Sequence, residues 1–177
     1  MGRDTNANSQ LATYLGTAGD YCPPLSGSAL EEAMAITSVK DIMTEVVEAL
    51  RVGDSLDLAD RIMRVGRIRH LPVVDGDDHL VGLVTHRTIL AAWVSHGSPT
   101  SERISEVARD IPIEMVMVKD VLTTTPEASA ADAARILEKH KYGCLPVVSS
   151  GKLVGILTEA DFLRFARVHL ELEQSAS

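Results

Sequence analysis

The feature that most constrains this 177-residue chain is that it says the same thing twice. Leu71-Pro72-Val73-Val74 returns as Leu145-Pro146-Val147-Val148, and each is followed at nearly equal distance by Leu80-Val81-Gly82-Leu83-Val84-Thr85 and Leu153-Val154-Gly155-Ile156-Leu157-Thr158. Upstream, Val39-Lys40-Asp41-Ile42-Met43-Thr44 finds a match in Val118-Lys119-Asp120-Val121-Leu122-Thr123. With that match the first copy holds about five extra residues within Glu45–Asp54 (EVVEALRVGD) before its helix. Words repeated in one order point to a duplicated supersecondary unit, two copies of which must share a core.

The periodicities give the unit its elements. In the second copy Ser129 can cap a helix carrying Ala133, Ile136 and Leu137 at helical spacing, with Asp132 in its first turn. Leu145–Val148 and Leu153–Leu157 read as two strands joined by the turn Ser149-Ser150-Gly151-Lys152, and a helix runs on from Glu159 with Phe162, Phe165, Ala166 and His169 on one side. The first copy repeats this with a helix over Leu56–Val65 closed by Gly66, strands at Leu71–Val74 and Leu80–Val84, the turn Asp75–Asp78 and a helix over Arg87–Val94. The expected fold is α/β (α+β): two β-α-β-β-α repeats packed about a pseudo-two-fold axis, because one three-stranded sheet cannot cover both its faces. The divisions are 1–38 as an extension with a short helix from Ser28, 39–95 as repeat 1, 96–117 as a linker with a short helix at Ile104–Ala108, 118–173 as repeat 2, and 174–177 as a tail.

Composition narrows the partners. With 25 acidic against 17 basic residues and no basic stripe, nucleic acid is not expected. No apolar run reaches the length of a membrane helix and the start is polar, so the expectation is a protein with no membrane partner. Cys22 and Cys144 lack ligand or disulfide spacing, which suits the cytoplasm. No nucleophile elbow, phosphate loop or zinc-binding HExxH pattern is present, and the chain reads as a non-enzyme.

The stretch Gly155-Ile156-Leu157-Thr158-Glu159-Ala160-Asp161 supports two readings. Thr158 and Asp161 make a good helix cap, Asp161 answering the N–H groups and positive dipole end of the first turn. Yet Gly155, like Gly82, leaves room beside a strand for another group to approach, and a carboxylate at a strand-to-helix junction can accept both hydroxyls of a ribose.

Taken together, VKDIMT/VKDVLT, HLPVVD/CLPVVS and VGLVTHRT/VGILTEAD resemble the tandem CBS domain, whose pairs form Bateman modules. The resemblance spans about Val39 to Arg167. It implies a regulatory module that binds an adenosine-containing ligand such as AMP, ADP, ATP or S-adenosylmethionine between the repeats, assembled as a homodimer and acting on a regulated protein. By that likeness Asp161 holds ribose, Thr158 lies beside ribose or phosphate, and Met43, Thr44, Arg69 and His70 form the far wall of the same cleft. With so few aromatic residues, aliphatic side chains would have to cover the base. In the first copy Thr88 stands where the acidic residue belongs, and a single neutral hydroxyl cannot accept two charge-assisted bonds from a ribose, so the two clefts should be unequal. There His86-Arg87 could recruit phosphate without ribose selectivity. Phe162, Phe165 and Leu172 are candidates for the dimer surface. The competing reading is a ligand-free dimerisation or scaffold module in which Thr158 and Asp161 are caps alone.

Overall fold

Both hairpins form where short runs of β-branched and other apolar residues flank a tight turn. The computed structural model describes residues 38–95 and 111–175; the expected helices at Ser28 and at Ile104–Ala108, and Cys22, lie outside them. In chain order the elements are α1 (Val39–Ile42), β1 (Leu50–Arg51), α2 (Leu56–Gly66), β2 (His70–Val74), β3 (Leu80–Thr85), α3 (His86–Ser95), a 3₁₀ turn (Ile113–Met115), α4 (Ala130–His140), β4 (Cys144–Ser149), β5 (Lys152–Thr158) and α5 (Glu159–Ser175). β1 runs parallel to β2, which pairs antiparallel with β3; β4 and β5 form the matching hairpin. The third strand of the second sheet is reduced to one parallel bridge, Thr124 to Val147. Both hairpins shift register at the same place, between Val73 and Val74 and between Val147 and Val148.

Ser55 and Ser129 cap α2 and α4 by accepting bonds from Leu58 and Asp132 amides. Gly66 does not close α2 as expected. It is the last helical residue, and Arg67 takes the left-handed turn at φ 51°, as Lys141 does at φ 56° after α4. The turn position is set by where the chain must swing back into the sheet, and a non-glycine residue accepts the modest cost.

How the copies interlock differs from the word match. The Val39 amide donates to Ala128 O and the Ile113 amide to Asp54 O; Ser38 bridges Ser129, and Pro112 bridges Ser55. Thr44 pairs with Ile156 of the second copy, and Val118 pairs with Leu83 of the first. The counterpart of Val39–Thr44 is therefore Ile113–Val118, not Val118–Thr123. Counted that way, the path from Val39 to Ser55 equals the path from Ile113 to Ser129, and Glu45–Asp54 is no insertion. VKDVLT echoes VKDIMT only in spelling.

Each leading segment also completes the other copy's core. Val39 and Ile42 pack with Ala133, Leu137, Leu145, Val147 and Leu157, while Ile111 and Ile113 pack with Leu56, Met63, Leu71 and Val84. Neither repeat closes its apolar face alone, which is the physical content of the duplication. Phe162 and Phe165, expected on a dimer surface, instead pack partly buried against the second core. The large exposed apolar side chains described on α5 are Leu163, Val168 and Leu170; that of Leu172 lies outside the described side chains. No helix among the described residues is long and apolar enough to cross a membrane.

Candidate functional site at the repeat interface

β5 ends at Thr158 and α5 begins at Glu159, so Asp161 falls three residues past the cap, with its carboxylate turned back over the first turn. Its Oδ2 accepts from the Thr158 amide at 2.7 Å and the Thr158 hydroxyl at 2.6 Å. Oδ1 accepts from the Thr44 hydroxyl of the first repeat at 3.1 Å and from Arg164 Nη2 at 2.8 Å. The same Arg164 nitrogen reaches Ile42 O at 3.1 Å. Asp161 is 3% exposed, whereas the Arg164 side chain is 55% exposed. A carboxylate has about four lone-pair sites, and all four are taken here. One oxygen is committed to the helix cap and the other to groups that cross the repeat interface.

Gly155 does leave room for an approaching group, and that group belongs to the protein. A Cβ there would stand 2.6 Å from Met43 Sδ and 3.2 Å from Thr44 O. Gly82 faces Met117 Sδ and Val118 O in the same manner. Met43, Thr44, Thr158 and Asp161 are thus drawn together from both repeats.

Arg69 and His70 lie elsewhere. They line a cavity of about 490 Å³ whose wall contains Thr85, His86 and Arg87 of the first repeat and Lys141 and Glu159 of the second, but neither Thr158 nor Asp161. Arg69 and His70 stand beside the start of α3 because the His86 amide donates to Arg69 O and because His70 pairs in register with Thr85. Gly143 admits the His70 ring, since a Cβ at that position would come within 2.7 Å of it. Burial lowers the His70 pKa, Glu159 opposing and Arg69 assisting. The neighbouring Cys144 thiol is pushed up to about 12 by burial, which keeps it protonated and a poor nucleophile.

Thr88, in the first turn of α3 but not on the wall of this cavity, is spent on its own helix. Its hydroxyl accepts from the Thr85 amide at 2.9 Å and donates to Thr85 O at 2.8 Å. Sequence reasoning missed Arg164 and Lys141. Arg164 was findable, since an acidic residue three positions before an arginine on a helix makes a pair. Lys141 was not, because only the left-handed turn after α4 brings it to the cavity.

Comparison with known proteins agrees with this duplicated fold. The Vibrio cholerae protein AcuB is 36% identical, superposes with a TM-score of 0.69 and matches 80% of this chain and 98% of its own. The CBS domain pair of MJ0100, solved with 5′-methylthioadenosine and S-adenosylmethionine, is 28% identical with a TM-score of 0.63, over 73% of this chain and 95% of that one. CBSX2, solved with AMP, is 29% identical with a TM-score of 0.63, over 77% of this chain and 98% of that one. Hypoxic response protein 1 of Mycobacterium tuberculosis strain H37Rv is 31% identical over 135 residues, 76% of this chain and 88% of that one. A homoserine O-acetyltransferase of Methanococcoides burtonii is 36% identical over 129 residues, 72% of this chain, yet the match spans only 24% of that enzyme's length. A second relative, MJ1404 of Methanocaldococcus jannaschii, is likewise matched over 38% of its length. The sequence model of the CBS domain matches residues 39–95 and again 108–167, its second match starting ahead of Ile113 as the interlocked segments require. On these matches and this fold, the chain belongs to the CBS-domain family.

Proposed function

We propose that the chain is a ligand-sensing regulatory module, not an enzyme, that binds an adenosine-containing ligand at the Asp161 cleft. Candidates are AMP, ADP, ATP and S-adenosylmethionine. The observation that carries this reading is a nearly buried carboxylate at the seam of two repeats, with one oxygen held by exchangeable partners. Oδ2 stays with the Thr158 cap. Oδ1 gives up Arg164, whose half-exposed guanidinium can return to water, and the Thr44 hydroxyl rotates away. The ribose hydroxyls take both places. Cap and ribose contact are thus compatible only by exchange. Two solved relatives carry AMP or S-adenosylmethionine with 5′-methylthioadenosine, all adenosine compounds.

Thr44 belongs to the first repeat and Asp161 to the second, so a ligand that replaces their contact changes how the repeats are held. That difference in affinity between two arrangements is what a sensor needs. The reading extends to a homodimer using the exposed Leu90 and Val94 of α3 and Leu163 and Leu170 of α5, to a regulated partner protein, and to a cytoplasmic setting. A second reading, a ligand-free scaffold, is favoured by one fact: every acceptor site on Asp161 is already filled within the protein.

Calorimetric titration with adenosine, AMP, ATP and S-adenosylmethionine separates them. The sensor gives saturable heat and a raised melting temperature with at least one of the four. Silence with all four leaves the scaffold.

A further inference from the structure

The sequence duplication reaches upstream of the described residues. The shift that carries Val39 onto Ile113 and Ser55 onto Ser129 also carries Leu30, Ala33 and Met34 onto Ile104, Val107 and Ala108. The same apolar triad at helical spacing therefore precedes both leading segments. In the first copy it follows the capping-box pattern Ser28-Ala29-Leu30-Glu31. A helix this short is marginal alone in water and draws its stability from packing an apolar face. The second repeat offers such a face. α5 has 17 residues where α3 has ten. Its inward side carries the buried Asp161, and Phe162 and Phe165 pack on the second core. Val168 lies two turns past Asp161 and one turn past Phe165 on that side, yet it is 40% exposed.

We propose that residues 28–36 of the same chain dock on this inward face of α5 beyond Phe165, laying Leu30 and Met34 against Val168. The described chain begins beside that face: Ser38 bridges Ser129 at the start of α4, the Val39 amide donates to Ala128 O, and Arg164 of α5 donates to Ile42 O. In helical form residues 28–36 span about 14 Å, and Val168 lies only about 5 Å along α5 from Phe165, so a segment tethered at Ser38 reaches it. A second copy of the chain is the poorer occupant. Leu163 and Leu170, the exposed residues suited to a second copy, lie two turns apart on a stripe turned by about 150° from Val168. The docked segment runs on into α1, whose Ile42 O accepts from Arg164, and then to Thr44, which donates to Asp161. Docking thereby ties the first-repeat side of that interface to α5. The assignment does not depend on what the Asp161 cleft binds.

Disulfide trapping in the full chain tests it, on a Cys22→Ser background. The buried Cys144 thiol, pushed up to about 12, stays out of the exchange. Under mild oxidation at micromolar concentration, Met34→Cys/Val168→Cys or Leu30→Cys/Val168→Cys closes within one chain about fivefold faster, or more, than the control Glu32→Cys/Val168→Cys, whose residue 32 falls on the opposite side of the segment. Closure between chains would give the face to a second copy, and closure no faster than the control would leave it uncovered by this segment; either overturns the proposal. Should the paired variants not fold by circular dichroism, hydrogen exchange decides. In the wild type the amides of 28–36 exchange about tenfold more slowly, or more, than those of 1–20, and Val168→Asp removes most of that protection. Amides of 28–36 that exchange as fast as those of 1–20, or that keep their protection in Val168→Asp, overturn it as well.

Discussion

Replacing Asp161 by asparagine keeps the shape of the side chain and removes its charge, which tests both of its roles at once. In the wild type its two oxygens accept four bonds, two from the Thr158 cap, one from Arg164 on the same helix and one from Thr44 across the repeat interface. An asparagine has one acceptor oxygen. If that oxygen keeps the Thr158 bonds, its NH₂ group faces the Arg164 guanidinium, donor against donor, and Arg164 must swing into solvent. Bonds to a charged acceptor are worth about 1.5–3 kcal/mol and neutral ones about 0.5–1.5 kcal/mol. Downgrading the cap pair and losing the half-exposed Arg164 contact therefore costs about 1–3 kcal/mol in folding. For a domain of this size that lowers the melting temperature by about 2–12 °C. Adenosine affinity falls in addition by about ten- to a hundredfold, since the ribose loses a charged acceptor. Urea denaturation and calorimetric titration of the same sample read the two effects. A destabilised variant with an unchanged adenosine isotherm would make Asp161 a cap and nothing more.

Removing the competitor should act in the opposite direction. Arg164→Ala frees one site on Oδ1 and tightens adenosine by about two- to fivefold, the worth of a solvent-screened pair at about 0.5–1 kcal/mol, and weaker binding would contradict the exchange. Gly155→Ala drives a Cβ against Met43 Sδ, which can move, and Thr44 O, which is pinned by paired bonds to Ile156, so about 1–3 kcal/mol of stability is lost; a neutral result by urea melt would place the repeats farther apart than described. His70, whose folded pKa burial holds below the usual 6.5, binds its proton more readily when unfolded. Stability should consequently fall as pH drops below about 6.5, and His70→Gln should flatten that part of the curve; a slope identical to wild type rules His70 out as its source.

The hairpins and helices were legible because local chemistry decides them: short β-branched and apolar runs around Asp75–Asp78 and Ser149–Lys152, and serine caps at Ser55 and Ser129. Thr158 and Asp161 were legible as a cap for the same reason, and Gly155 as a place of close approach. What the sequence hid was set by contacts between distant segments. Ile113–Val118 matches Val39–Thr44 in position without sharing its charged letters, so the better-spelled VKDVLT drew the match five residues too far along. Phe162 and Phe165 lie on an amphipathic helix whose apolar face either a partner or the chain's own core could cover, and the core does so. Arg69 and His70 were assigned to the Asp161 wall through resemblance, whereas strand pairing with Thr85 brings them to the neighbouring cavity.

The most direct measurement is a crystal structure of the chain soaked with adenosine or AMP. The account predicts ribose hydroxyls within about 3 Å of the Asp161 carboxylate, Arg164 withdrawn from it, and the Thr158 cap intact. A ligand bound away from Asp161, or an Asp161 still holding Thr44 and Arg164 with ligand present, would contradict it.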